Sequence, residues 1–217
     1  ANTTSLPESP GSTRNWDYRY CWMRDTYYTL NAFNHIGHFE EVERYFNYIA
    51  NISAKSKDRF QPLYSIYGKD KITEEEIDLE GYLGNKPVRI GNQAHEHIQN
   101  DVYGQIMISL LPLFVDERFI DNEKISSKNL MYDLLMKIGK YIDEMDASLW
   151  EFRDRERHYC YTQLFHWAGS SAALKIATRY QDQEMANMAR EMKRKAFEKI
   201  EACYDSDKKV YTQAVNE

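Results

Sequence analysis

Two segments carry residue types that do chemistry. The first, Asp146-Ala147-Ser148-Leu149-Trp150-Glu151-Phe152-Arg153, sets a carboxyl beside an indole. A glutamate desolvated by such a neighbour has a raised pKa and holds its proton near neutral pH, as a general acid requires. An ion pair with Arg153 or Arg155 would act in the opposite direction, and the Trp-Glu dipeptide does not choose between the two. The second segment, Arg14-Asn15-Trp16-Asp17-Tyr18-Arg19-Tyr20-Cys21-Trp22-Met23-Arg24-Asp25, crowds rings and charges against the start of a helical pattern. Taken alone it reads as a capped helix start with a cation–π cluster. A third stretch, Gly81 to Asn92, is followed by Gln99-Asn100-Asp101-Val102-Tyr103-Gly104. Its amides and carboxylate can bind hydroxyls or brace a loop, and residue by residue bracing is the better reading.

The elements that position these segments are helical. Apolar residues recur at three- and four-residue steps in Met23, Tyr27, Leu30, Phe33 and in Phe39, Val42, Phe46, Ile49. Four more series follow the same rule: Ile98 to Leu113, Leu130 to Ile142, Leu164 to Leu174, and Met185 to Ile200. The spacing predicts about six amphipathic helices in up-down order. Short turns such as Ile36-Gly37-His38 and Tyr180-Gln181-Asp182 join most of them. Two connections are longer, over residues 54–93 and 146–158, and long structured loops on a helical scaffold are where function tends to sit. The first contains short β-like runs at Leu63 to Tyr67 and Val88 to Ile90. Residues 1–14 read as a lead-in without periodicity.

Composition narrows the partners. The 217 residues suit one domain and carry 28 basic against 34 acidic side chains, a net charge of -6. Lysine and arginine are scattered, which argues against nucleic acid and anionic membrane. Seventeen tyrosines and four tryptophans suit stacking on sugar faces, although most such rings build cores, and mean hydropathy is low at -0.73. Cys21, Cys160 and Cys203 are too few and too far apart for a disulfide framework, so free thiols and a cytoplasmic setting are expected. His95-Glu96-His97 and the His35/His38 pair do not complete a metal set, so neither metal nor cofactor is expected. Serine-hydrolase elbows, phosphate loops and dinucleotide fingerprints do not occur in the sequence.

The three segments, in this order and over essentially the whole chain, resemble glycoside hydrolase family 15, the glucoamylases and their bacterial and archaeal relatives. The run Thr3-Thr4-Ser5-Leu6-Pro7 before the Arg14–Asp25 block, and Arg157-His158 after Trp-Glu-x-Arg, complete the likeness. The resemblance implies an all-α (α/α)6 barrel, of which this chain would supply about half, as an internal piece of a single catalytic domain. It implies Glu151 as the general acid, Arg24 and Asp25 as ligands of the terminal glucose, and Trp22, Trp150 and Tyr18 as pocket residues. Arg153 is a further contact, and Gln99 and Asp101 are supporting residues. The implied reaction is inverting release of glucose from non-reducing ends of α-glucans or oligosaccharides. Trehalose hydrolysis and a non-catalytic barrel like that of the phosphorylase kinase regulatory subunits are the alternatives. An inverting enzyme needs a second carboxylate about 6.5–9.5 Å from the first. The resemblance puts that base beyond position 217, since Asp25 is a substrate ligand and Glu144 and Asp146 precede the acid on its own loop. The isolated chain is therefore expected to be nearly inactive and to self-associate through exposed barrel faces.

Overall fold

The computed structural model describes residues 6–56, 58–119 and 125–216. The chain divides into two compact units, one built from the residues up to Trp22 with Gln61–His97, the other from Met23–Phe60 with Ile98–Glu217.

The second unit is helical. It contains α1 (Met23–His35), α2 (Glu40–Lys55), α3 (Asp101–Leu110), α4 (Pro112–Val115), α5 (Ile125–Tyr141), α6 (Cys160–Arg179) and α7 (Gln183–Glu201). The six series of the sequence all form helices. The additional one, α4, arises because Pro112 supplies no N–H and breaks the run from Ile98 to Leu113 into two.

Helix composition sorts the layers. In α3 almost every side chain is buried, from Asp101 through Leu110, as befits a helix enclosed on all sides. It packs between α1 and α6, and these three form an inner row. Both α2 and α7 bury one stripe and expose the other: Val42, Tyr45, Phe46, Ile49 and Ile52 in α2, and Met185, Ala186, Ala189, Met192 and Ala196 in α7. Those helices, with α5, back the inner row, giving part of a double-layered helical barrel.

Glycine decides how closely the inner row packs. A Cβ built on Gly104 of α3 would lie 1.9 Å from the Phe165 carbonyl oxygen, and one on Gly169 of α6 would lie 2.6 Å from the Gly104 Cα. The two backbones are therefore in direct contact. The α6–α7 turn is set by Asp182, whose carboxylate accepts from Met185 N at 3.0 Å and caps α7. After α7, β5 (Tyr204–Asp205) and β6 (Val210–Tyr211) make a small antiparallel hairpin.

The first unit is built from loops and two antiparallel pairs. β1 (Cys21–Trp22) pairs with β2 (Leu63–Tyr64), and β3 (Glu75–Ile77) with β4 (Val88–Ile90). Trp22, Leu63, Ile72 and Ala94 form its core, with Tyr18 and Tyr20 packed against it. Asp17 braces the loop by accepting from Arg19 at 2.7 Å, Tyr20 at 3.0 Å and Gly91 N at 3.2 Å. Gly91 has φ +76, and a Cβ there would meet the Thr73 carbonyl oxygen at 1.8 Å, so only glycine fits. Part of the Arg14–Asp25 block, read from its composition as a capped helix start with a cation–π cluster, instead braces the loops of this unit through Asp17. No helix among the described residues is long and apolar enough to cross a membrane.

The Gly104–Gly169 contact makes a test of the inner row. Gly169→Ala is expected to lower the urea midpoint by an equivalent of about 1–3 kcal/mol, because helices already in backbone contact must separate. Gly139→Ala, whose Cβ would meet the flexible Met192 Sδ at 3.0 Å, is the control and should cost far less. Equal effects at both sites would overturn the packing argument.

Candidate active site

Within the helical unit, Arg24 in the first turn of α1 is the centre of a polar cluster, its side chain only 10% exposed. Its Nη2 donates to Gln99 Oε1 at 2.6 Å, and Nη1 and Nη2 both donate to Glu151 Oε1 at 3.2 Å. Gln99 Nε2 donates to the same oxygen at 3.2 Å. Arg24 Nε faces Asp101 Oδ2 at 3.9 Å, and Gln105 Nε2 donates to that oxygen at 2.7 Å. Three donors therefore fix Oε1 of Glu151, while Oε2 accepts from none of the described residues. A carboxyl held in this way keeps one oxygen as an anchor and leaves the other to carry a proton.

Glu151 reaches this position through a strained loop. Its own φ is +53 and that of Ser148 is +48, a left-handed conformation that costs a residue with a side chain about 1–2 kcal/mol. The loop is closed at its base, where Asp146 N donates to Arg157 O at 3.1 Å and Arg157 N to Asp146 O at 3.0 Å. Ala147 N donates to Ile98 O at 2.8 Å. The Asp146 carboxyl accepts from Asn100 N at 2.9 Å and from Thr162 Oγ1 at 2.9 Å, tying the loop to the start of α3 and to α6. Ser148 Oγ also lies within hydrogen-bond distance of Thr162 Oγ1, at 3.1 Å.

Protonation follows from burial. Desolvation raises the pKa of Glu151 above the usual carboxylate range, with Asp101 and Asp25 adding to the rise while Arg24 and Gln99 oppose it. Asp101, fully enclosed, is raised chiefly by burial against the pull of Arg24. Asp146 is pushed up to about 7, by burial first and then by the charge of Asp101. The site is thus a group of acids that hold protons to unusually high pH around one permanent cation.

The sequence-derived candidates fall into three groups. Arg24 and Glu151 come together, joined by Gln99 and Asp101. Asp25 sits exposed in the first turn of α1. Trp150 is 62% exposed, so burial among Arg24, Gln99 and the loop, rather than the adjacent indole, raises the Glu151 pKa. Arg153 is exposed and is not among the partners of Glu151, and Arg155 instead pairs with Asp154 at 3.7 Å and lies over the Phe152 ring. Among the described residues the ion pair that opposes the rise is with Arg24, at 3.2 Å, rather than with Arg153 or Arg155. Tyr18 and Trp22 lie in the first unit, their ring centroids 6.1 Å apart.

Sequence reasoning missed Tyr161 and Tyr28. Their hydroxyls are 3.4 Å apart, and Gln105 Nε2 donates to Tyr161 OH at 3.4 Å. Burial raises the Tyr161 pKa, so its hydroxyl stays neutral beside the acids. Tyr161 packs on Phe165 with centroids 4.9 Å apart, adding an aromatic wall from α6. The described residues contain no group of histidine, cysteine and carboxylate side chains arranged to hold a metal.

Two outcomes test these electrostatics. An unfolded aspartate ionises near 4, whereas folded Asp146 does so at about 7, so the native state binds the extra proton between them. Stability should therefore fall as pH rises through that window, by on the order of a few kcal/mol for this group. Asp146→Asn should flatten the fall in Tm between pH 4 and pH 7.5, and an unchanged slope would overturn the assignment. Gln99→Leu removes a donor to Glu151 and should raise the carboxyl pKa read by carbon-13 NMR titration. A lower value would show that burial does not dominate.

Comparison with known proteins agrees with the sequence resemblance. The profile of the glycosyl hydrolases family 15 matches residues 1–217. A trehalase of Thermoplasma acidophilum is 34% identical over 177 residues, 82% of this chain and 30% of the relative. Trehalase 2 of Sulfolobus acidocaldarius is 35% identical over 181 residues, 81% of this chain and 31% of the relative. A trehalase of Mycobacterium tuberculosis is 33% identical over 197 residues, 88% of this chain and 28% of the relative. The chain thus spans under a third of the length of these relatives. No solved structure matches it. A profile match from the first residue to the last makes this chain a member of glycoside hydrolase family 15.

Proposed function

We propose that the protein to which this chain belongs hydrolyses the glucosidic bond of trehalose, with Glu151 as general acid. The observation that carries the chemistry is the Glu151 carboxyl, anchored through Oε1 by Arg24 and Gln99 with its pKa raised by burial. In this reading Oε2 delivers the proton to the departing glycosidic oxygen. Arg24 holds the carboxyl in place and, with Asp25, meets sugar hydroxyls, while Trp150 and Arg153 on the acid loop are further sugar contacts. The substrate preference rests on the relatives, which carry the name trehalase.

Inversion requires a second carboxylate across the sugar to activate water. Asp101 and Asp146 are poorly suited to that task. The first is enclosed between Arg24 and Gln105, and the second is engaged by Asn100 and Thr162. We therefore place the base outside these 217 residues, in the same catalytic domain. Exo-acting release of glucose from α-glucans is the second reading, favoured by the glucose-binding Arg-Asp pair that the family resemblance assigns to Arg24 and Asp25.

Full-length protein incubated separately with trehalose and maltotriose should release glucose from trehalose. Glu151→Gln should lower kcat by about 10²-fold or more with little change in KM, because an amide cannot supply the proton. Turnover of maltotriose alone would establish the glucan reading. Near-normal kcat in the Gln variant would remove Glu151 from the acid role, and robust turnover by the 217-residue chain would overturn the placement of the base.

A further inference from the structure

α6 and α7 form an antiparallel hairpin, so Cys160, the first residue of α6, returns to the level at which the chain leaves α7 and reaches Cys203. Backbone hydrogen bonds fix this proximity. Cys160 N donates to Gln213 O at 2.9 Å and Thr212 N donates to Cys203 O at 2.8 Å, so two consecutive residues tether both cysteines. Thr212 Oγ1 reinforces the second tether at 2.8 Å. Both thiols are free, Cys160 partly exposed and Cys203 buried. From this juxtaposition we propose that Cys160 and Cys203 are a redox modification site that closes to an intrachain disulfide, with a low-molecular-weight disulfide such as oxidised glutathione as oxidant.

The exchange balances in two steps. The half-buried Cys160 loses its proton to solvent, and its sulfur attacks one sulfur of the reagent, breaking the reagent bond and releasing one equivalent of its thiol. Cys203 then loses its proton to solvent and its thiolate attacks the Cys160 sulfur of the mixed disulfide, breaking the bond to the reagent and forming the protein bond, while the leaving thiolate takes up a proton and departs as the second equivalent. Two protein thiols are oxidised and one reagent disulfide is reduced. Burial raises both thiol pKa values, that of Cys203 to about 12, so the exchange is slow at neutral pH and accelerates as pH rises.

The bond would act next to the acid loop. Tyr159 bridges to Ala214, and Val215 N donates to His158 O at 3.2 Å, so the distal end of that loop is already stitched to the segment that holds the cysteines. The disulfide would make that stitch covalent and enclose α6 and α7 in one closed loop, constraining the unfolded chain.

The test uses the native chain and oxidised glutathione at mildly alkaline pH, with thiol counting, intact mass and tryptic mapping. The expected result is loss of two of the three thiols with a mass decrease of about 2 Da. Peptide His158–Lys175 should be joined to Ile200–Lys208, and Tm should rise by several degrees, reversibly on reduction. Retention of all three thiols overturns the proposal. So does glutathione left on Cys160 without the cross-link. Cys160→Ser should prevent the mass decrease, and its persistence in that variant would assign the bond to other cysteines.

Discussion

A guanidinium buried to nine-tenths of its surface needs acceptors and counter-charges around it to offset the desolvation cost. Arg24 draws them from three places: Nη1 and Nη2 donate to Glu151 and the Leu149 carbonyl on the loop and to Gln99 just before α3, while Nε faces Asp101 of α3 at 3.9 Å as an ion pair without a hydrogen bond. The relation also runs the other way. Asp101 and Glu151 lie where burial disfavours their charge, and Arg24 is the group that pulls both back toward ionisation. The proton content of the site is therefore a balance between enclosure and one fixed cation, and each wall of the site is held partly by that cation.

The loop that presents Glu151 depends on a second constraint. Left-handed backbone at Ser148 and Glu151 persists only where the surroundings over-determine it. Asp146 supplies that determination by closing the loop on Arg157 and bonding to Asn100 and Thr162. The residue that secures Glu151 is itself an acid with a proton that leaves near neutrality, so loop integrity and the protonation of Glu151 respond to the same variable.

The helices were legible because α2 and α7 alternate apolar and charged faces with helical period and α3 is apolar nearly throughout. The Pro112 break and the strands β1, β3, β5 and β6 were not, since two or three residues are too short to show alternation. At the site, Arg24 and Glu151 stood out through the blocks around them. Their mutual contact could not be read, because 127 positions separate them in the chain. The exposure of Trp150 could not be read for a geometric reason: adjacency in sequence does not mean burial together when the backbone turns left-handed at Glu151 itself. Tyr28 and Tyr161 come from different helices and carry no local signal, and Cys160 and Cys203 meet only because α6 and α7 fold back on each other.

The backbone contact between Gly104 and Gly169 bears on the order of assembly. These residues are separated by α4, α5 and the whole acid loop, so their meeting is a long-range event with a large loop-closure cost. Until α6 docks on α3, the loop lacks the anchors at the start of α3, the Asn100 N–H on the Asp146 carboxyl and the Ile98 carbonyl on Ala147 N. The cluster around Glu151 is thus a late product of folding, completed by the encounter of two helices rather than by the local preferences of the loop that bears it.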